Sequence, residues 1–317
     1  MTNLKLVSIA KGIGTYVPGL GRLACRGFGG AASARYCYSV WLRHLVKAGE
    51  AGLLVSFHRV AELGPGDTLG VGLAAMLSGV DQYFALDAKR YANARRDLDV
   101  FEELVRLFSQ RTPIPDGDEF PYLYPALEHY EFPHEFLPKE TLQVSLRPDR
   151  IGAIRQALQR SCTGIDGIRV TYVAPWDEFS LDEVGTVDMV FSQAVLEHVE
   201  DVRRTYRALA RFLRDGGLMS HTIDFKSHDV THDWNGHWTV SDFAWKIVQG
   251  RRPYFINRLP LSVHIAALED AGFQITGSVK RIGIALERAR LAPRFTDMSA
   301  DDLRTCGCFI QAVKGIQ

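Results

Sequence analysis

The chain has 317 residues, 46% of them apolar and 23% charged, which excludes a disordered chain and is enough for one decorated α/β domain with a sizeable core. Lys+Arg and Asp+Glu stand at 37 each, so no global field draws the chain to nucleic acid or to an acidic membrane surface. No apolar run approaches the roughly 20 residues of a membrane span.

Residues 1–30 are Gly-rich with scattered Arg and Lys. They lack the continuous apolar core and cleavage site of a signal peptide and are expected to form an arm that docks on the body or on a partner. Over 31–48, Tyr36, Val40, Trp41, Leu42 and Leu45 fall near a helical period, so 1–50 is taken as arm plus cap helix. A strand at about 55–63, the turn "ELGPGD", a helix through 68–79 and the short strand "QYFALD" then form a βαβ unit, the first part of the core at 51–90. Residues 91–165 hold helical stretches at 94–110 and 148–160 around a piece dense in Pro and aromatics. That piece is too apolar for a linker and is expected to be an inserted lid or substrate subdomain.

The core resumes over 166–317. Strands are expected at 168–174, 187–193, 218–225, 274–282 and 306–315, with helices at 201–217, stopped by glycines, and at 259–273. A polar and aromatic loop region fills 226 to about 258. Seven strands, the last pair joined by a loop, predict an α/β fold: a Rossmann-like doubly wound sheet, mostly parallel, with an antiparallel last strand. The five cysteines (Cys25, Cys37, Cys162, Cys306 and Cys308) show no framework spacing and are taken as reduced thiols of a cytoplasmic protein. Cys306 and Cys308 fall on one face of a strand rather than forming a metal pair.

The glycine turn narrows the ligand. In such a sheet the ligand sits at the carboxyl ends of the strands, and a dinucleotide rests its pyrophosphate on the amino end of the next helix. Here Asp67, with Thr68 beside it, is expected at that end, satisfying it internally and repelling a phosphate. The spacing G-x-G-x-x-x-G also departs from the dinucleotide pattern. A cationic ligand without phosphate fits better, namely S-adenosylmethionine.

"ELGPGD", then "ALD", then "VDMVFSQAVLEHVEDV", then "RFLRDGGLM" resemble, in order and spacing, the class I S-adenosylmethionine-dependent methyltransferases, over roughly 55–90 and 165–315. The resemblance implies that Glu62, Gly64 and Gly66 line the methionine end of the cofactor. Asp87, 21 residues after Gly66, would take the ribose hydroxyls. In "APWDEF", Pro175 and Trp176 would flank the adenine while Asp177 accepts from its amino group. Ser192, Gln193 and Leu196 would line the floor. Glu197 and His198 in "LEHV" either pin the next helix or, for His198, touch substrate. Arg43, on one helix face with Tyr36 and Ser39, would meet the methionine carboxylate, unless that helix is simply packed.

Methyl transfer is an in-line displacement, so the protein aligns the acceptor and, for a hydroxyl, removes its proton. His228 is expected as general base with Asp224 orienting it, since both follow the fifth strand. A metal held by Asp224, His228, His232 or Asp233 is the rival; no recognised metal spacing supports it, and none is expected. Trp234, His237 and Trp238 are candidate walls for a sugar face. The Asp/Asn-Pro-Pro-aromatic motif of many nucleic-acid methyltransferases is replaced by "SQAVLEH". The expected acceptor is therefore a small molecule or glycan, as in surface-polysaccharide biosynthesis, with a lipid-like acceptor as alternative. Nucleic acid and a transmembrane segment are not expected, and a homo-oligomer is allowed. A nicotinamide-dependent reductase and a non-catalytic cofactor-binding protein remain the rival classes.

Overall fold

Every second residue of the central strands turns its side chain to the same face, and both faces are apolar. The computed structural model describes residues 4–17, 33–53, 56–160, 167–178 and 184–316, so Cys25 and Cys162 lie outside it. The strands are β1 (Arg59–Leu63), β2 (Gln82–Leu86), β3 (Arg169–Val173), β4 (Val187–Gln193), β5 (Leu213–Asp224), β6 (Phe273–Ile282) and β7 (Thr305–Lys314). They form one sheet in the order β3-β2-β1-β4-β5-β7-β6. The first five run parallel, and β7 lies antiparallel between β5 and β6. The predicted Rossmann-like sheet with its antiparallel last strand is the one observed.

Val60, Tyr83, Met189 and Phe191 point to one face, against α2 (Ala34–Glu50), α3 (Gly70–Met76), α4 (Ala94–Gln110) and α6 (Pro148–Arg160). Their neighbours Ala61, Phe84 and Val190 point to the other, against α7 (Val202–Phe212) and α9 (Leu261–Asp270). Ser33 caps α2 by accepting from the Tyr36 amide, Asn93 caps α4 and Asp201 caps α7, so these three helices begin on a side chain that satisfies free N–H groups. The α7 helix stops at Phe212, before the glycines, because Leu213 already pairs with Val187 in the sheet.

Two further segments pack on this frame. The described part of the arm holds a docked helix, α1 (Leu6–Gly14), whose Gly12 approaches the backbone of Ile247 and Val248 on α8 (Asp242–Gln249) too closely for any Cβ. The stretch from 91 to 165 joins the main core: Phe101, Leu104, Phe108, Ile114, Leu127 and Phe132 are buried in the same apolar cluster as α2 and α3. The short helix α5 (Lys139–Ser145) belongs to that layer through Leu142. A third cluster around Trp238, Leu291 and Phe295 covers the loop between β6 and β7, which ends in α10 (Ala300–Arg304). Among the described residues no helix is long and apolar enough to cross a membrane.

Candidate functional site

After β1 the chain moves outward to β2 and β3; after β4 it moves the other way to β5, β7 and β6. The segments leaving the carboxyl ends of β1 and β4 therefore part, and a cleft opens where they separate. It holds a cavity of about 360 Å³, within the range of small-molecule sites. Its wall comes from the ends of five strands: Glu62 to Asp67 after β1, Asp87 and Ala88 after β2, Trp176 after β3, Gln193 to Val195 after β4 and His228 after β5. Tyr36 of α2 closes one side.

Gly64 and Gly66 sit at φ 68° and 72°, a left-handed backbone that disfavours any side chain. A Cβ at Gly64 would strike Val195 at 2.7 Å, whereas one at Gly66 would meet nothing within 4 Å. The turn thus packs on the β4 loop at one glycine and faces open space at the other. Gly66 donates its N–H to Asp87 Oδ2 at 3.4 Å, and Ala88 donates to Oδ1 at 2.7 Å. Burial still raises the Asp87 carboxyl above its usual range, the amides of Lys89, Ala88 and Gly66 working against it. Glu62 is buried and accepts from the Tyr83 hydroxyl; burial pushes its carboxyl up to about 8. A neutral carboxyl of that kind becomes a carboxylate readily when a cation arrives.

Asp67 lines the cavity but does not cap the helix. It stands 3.8 Å from Arg96, and α3 starts only at Gly70. The acid at that helix start is Asp97 of α4, which accepts from the Thr68 hydroxyl at 2.8 Å and the Leu69 amide at 2.9 Å. Asp97 shares the buried face of α4 with Phe101, Leu104 and Phe108, and a lone acid in an apolar stripe was the available signal for it.

At the end of β4 the sheet's alternation decides which residues reach the cleft. Gln193 lines it, joined by Ala194 and Val195. Ser192 points away and bonds His221 Nδ1 at 2.8 Å, and Leu196 belongs to the core behind. His198 also lines the cavity, with Nδ1 2.8 Å from the Tyr254 carbonyl. Burial and the facing His228 lower it to about 4, so it is a neutral imidazole at pH 7. Its neighbour Glu197 is buried, and burial holds its carboxyl well above the usual range.

Past β5, Asp224 Oδ2 stands 3.7 Å from His228 Nε2. His228 and Asp229 both take left-handed backbone, φ 46° and 62°, which turns His228 back to the cleft. Burial lowers the His228 pKa while Asp224 opposes the shift, so the ring is a free base at neutral pH. His228 also lines a second cavity, again of about 360 Å³, together with Asp224, Lys226, Ser227, His232 and Trp234. The other expected walls lie elsewhere. His237 and Trp238 are buried, and Trp238 donates its indole N–H to the Arg258 carbonyl, because these rings fill the core under the β6–β7 loop. Arg43 is buried against the segment from 91 to 165, donating to the carbonyls of Pro115 and Pro125, and does not reach the cleft. Asp177 and Pro175 are exposed beside Trp176 rather than in the cavity wall.

Residues 125–220 match the methyltransferase domain family, a stretch that spans β3, β4, α7 and the start of β5. That match covers under a third of the chain. The cofactor that serves such a domain is S-adenosylmethionine. No curated protein matches the chain. Among solved structures, a S-adenosylmethionine-dependent methyltransferase from Mesorhizobium loti aligns over 87% of this chain and 98% of its own at 14% identity and TM-score 0.43. A putative one from Listeria monocytogenes aligns over 90% and 100% at 12% identity and TM-score 0.42. The Haemonchus contortus phosphoethanolamine N-methyltransferase 2 aligns over 89% and 57% at 15% identity and TM-score 0.43.

The residues present fit that cofactor. Asp87, with three amides behind it, presents a carboxylate suited to a diol, and Glu62 presents a carboxyl suited to a cation. Tyr36 and Trp176 offer flat apolar surface, and the open side of Gly66 lets a ligand approach the backbone. The cleft is thus built from the five strand ends, with a second cavity beside it.

Proposed function

We propose that this protein transfers a methyl group from S-adenosylmethionine to a hydroxyl of a small-molecule or glycan acceptor bound in the second cavity. The observation that carries this reading is His228, which lines both cavities at once and has Asp224 behind it. When bound, the cofactor supplies an electrophilic methyl on a sulfonium, so no further activation of the donor is needed. Glu62 and Asp87 hold the donor at the strand ends, and the glycine turn fixes its approach. The acceptor lies on the side of Asp224, His232 and Trp234, where polar groups and one ring suit a sugar face. His228, neutral at pH 7, takes the hydroxyl proton as the oxygen attacks, and Asp224 stabilises the imidazolium that forms.

A lipid-like acceptor is the second reading. It is favoured by an apolar surface in which Leu6 on α1 is 82% exposed and Phe243 on α8 is 76% exposed. The test is calorimetry with S-adenosylmethionine, S-adenosylhomocysteine and NADH, followed by a panel of sugar and lipid acceptors with labelled methyl donor. Cofactor heat lost in Asp87→Ala and label recovered as an O-methyl sugar support the proposal. Heat only from NADH ends it, and label only in lipid moves the assignment to the second reading.

A further inference from the structure

Glu197 presents a problem that methyl transfer does not solve. It is 3% exposed, and no side chain pairs with either carboxyl oxygen; only the backbone amides of Glu197 and Asp224 approach it. A buried acid in that condition calls for an explanation, such as a bound cation. Beside it stand two imidazoles. Glu197 and His198 are adjacent on the short turn after β4, and His228 comes from the loop after β5; β4 and β5 are paired neighbours, so both loops leave the sheet together. One donor atom from each of the three side chains lies within 4.8 Å of the other two.

We propose that Glu197, His198 and His228 hold a divalent transition-metal ion, with Zn²⁺ the best match to their chemistry. Two imidazoles and one carboxylate form a ligand set that leaves positions open on the ion. Bonds of about 2.0 to 2.2 Å place such ligands about 3.3 Å apart, so the set closes around an ion by a modest turn of side chains. His228, part-exposed on its loop, is the member with room to turn.

The surroundings are arranged as they are behind metal-bound histidines. His198 donates its Nδ1–H to the Tyr254 carbonyl, which makes Nε2 the nitrogen that would coordinate the ion. Asp224 stands behind Nε2 of His228 at 3.7 Å, which leaves Nδ1 of that ring. His198 and His228 both line the cofactor cavity, so the open positions are reached from it. On the acceptor-hydroxyl reading above, the ion would bind the acceptor oxygen and ease loss of its proton, with His228 a ligand instead of the base. Only that last consequence depends on that reading; ion binding does not.

The test uses the full-length protein, stripped with chelator, with neither cofactor nor acceptor present. It is titrated with Co²⁺ by visible absorption and with Zn²⁺ by calorimetry. The expected result is about one ion per chain, bound at least about tenfold more weakly by Glu197→Gln and by His228→Ala. His232→Ala, on the same loop but outside the three, should bind as the parent does. Glu197→Gln keeps the buried shape; should it not fold, His228→Ala decides alone, since that ring is part-exposed. No saturable binding, binding unchanged in both variants, or loss in His232→Ala equal to that in His228→Ala overturns the site. None of these outcomes touches the calorimetry with S-adenosylmethionine, so failure here and failure of the methyl-transfer proposal are separate.

Discussion

The carboxylate of Asp97 accepts hydrogen bonds from both the Thr68 hydroxyl, at 2.8 Å, and the Leu69 amide, at 2.9 Å. One buried acid on α4 thereby fixes the glycine turn from a distance of 29 residues along the chain. Asp97→Ala is expected to lower stability by about 2 kcal/mol, the cost of removing a charged partner from buried donors. Asp67→Ala, which removes only the half-exposed approach to Arg96, should stay within about 0.5 kcal/mol. Urea melts of the two variants check this; equal losses would return the capping role to Asp67.

Glu62 makes cofactor binding depend on pH. With its carboxyl raised to about 8 by burial, it is protonated at pH 7 in the free protein. A cationic ligand favours the carboxylate, so binding below that value releases a proton. Affinity for S-adenosylmethionine should therefore rise by up to about tenfold per pH unit below 8 and level off above it. Glu62→Gln should bind more weakly and lose this dependence. Calorimetry in buffers of different ionisation enthalpy counts the proton directly.

The two glycines of the turn should differ. Gly66→Ala meets open space and carries only the left-handed backbone cost, about 1 kcal/mol. Gly64→Ala adds a collision with Val195 and should cost more in stability while displacing the β4 loop. Thermal melts rank them, and cofactor affinity should fall in Gly66→Ala as well, because its Cβ fills the open side from which a ligand approaches the backbone.

His228→Ala should lower kcat by about 10²- to 10⁴-fold if it moves the acceptor proton. Cofactor affinity should stay within about threefold, because Glu62, Asp87 and the turn hold the donor without it. Asp224→Asn should lower kcat less, its effect passing through the imidazole. Steady-state kinetics alongside calorimetry separate the two quantities.

Arg43 is a packing residue here. Arg43→Ala empties a buried site, removes the Pro125 carbonyl's donor and leaves the Pro115 carbonyl with only the Ser39 hydroxyl, and should destabilise the fold by about 3 kcal/mol. Affinity for S-adenosylmethionine, measured where the variant is folded, should remain at the parental value. A selective loss of affinity would place Arg43 in the cofactor site after all.

The sheet was legible because its signals are local. Apolar runs mark β2 and β4 within a residue and the end of β1, which starts four residues later than expected; the glycines of "ELGPGD" mark the turn, and Asp87 closes the strand that follows. The helix expected through 201–217 ended earlier because strand pairing at Leu213 outweighs helix propensity there. That correction required knowing the partner strand.

The sequence by itself determined the strand count, the antiparallel last strand, the cleft and the residue types around it. All of these follow from period, turn chemistry and order along the chain. Tertiary structure alone decided which side chains face the cavity. Ser192 and Gln193 are neighbours pointing to opposite faces, and His228 and His237 share one loop yet lie in a cavity and in a core. It also brought Asp97 to Thr68, and Glu197 and His198 to His228, pairs far apart along the chain. The physical reason is that burial and proximity are set by packing between elements, and a sequence window records only what happens within one.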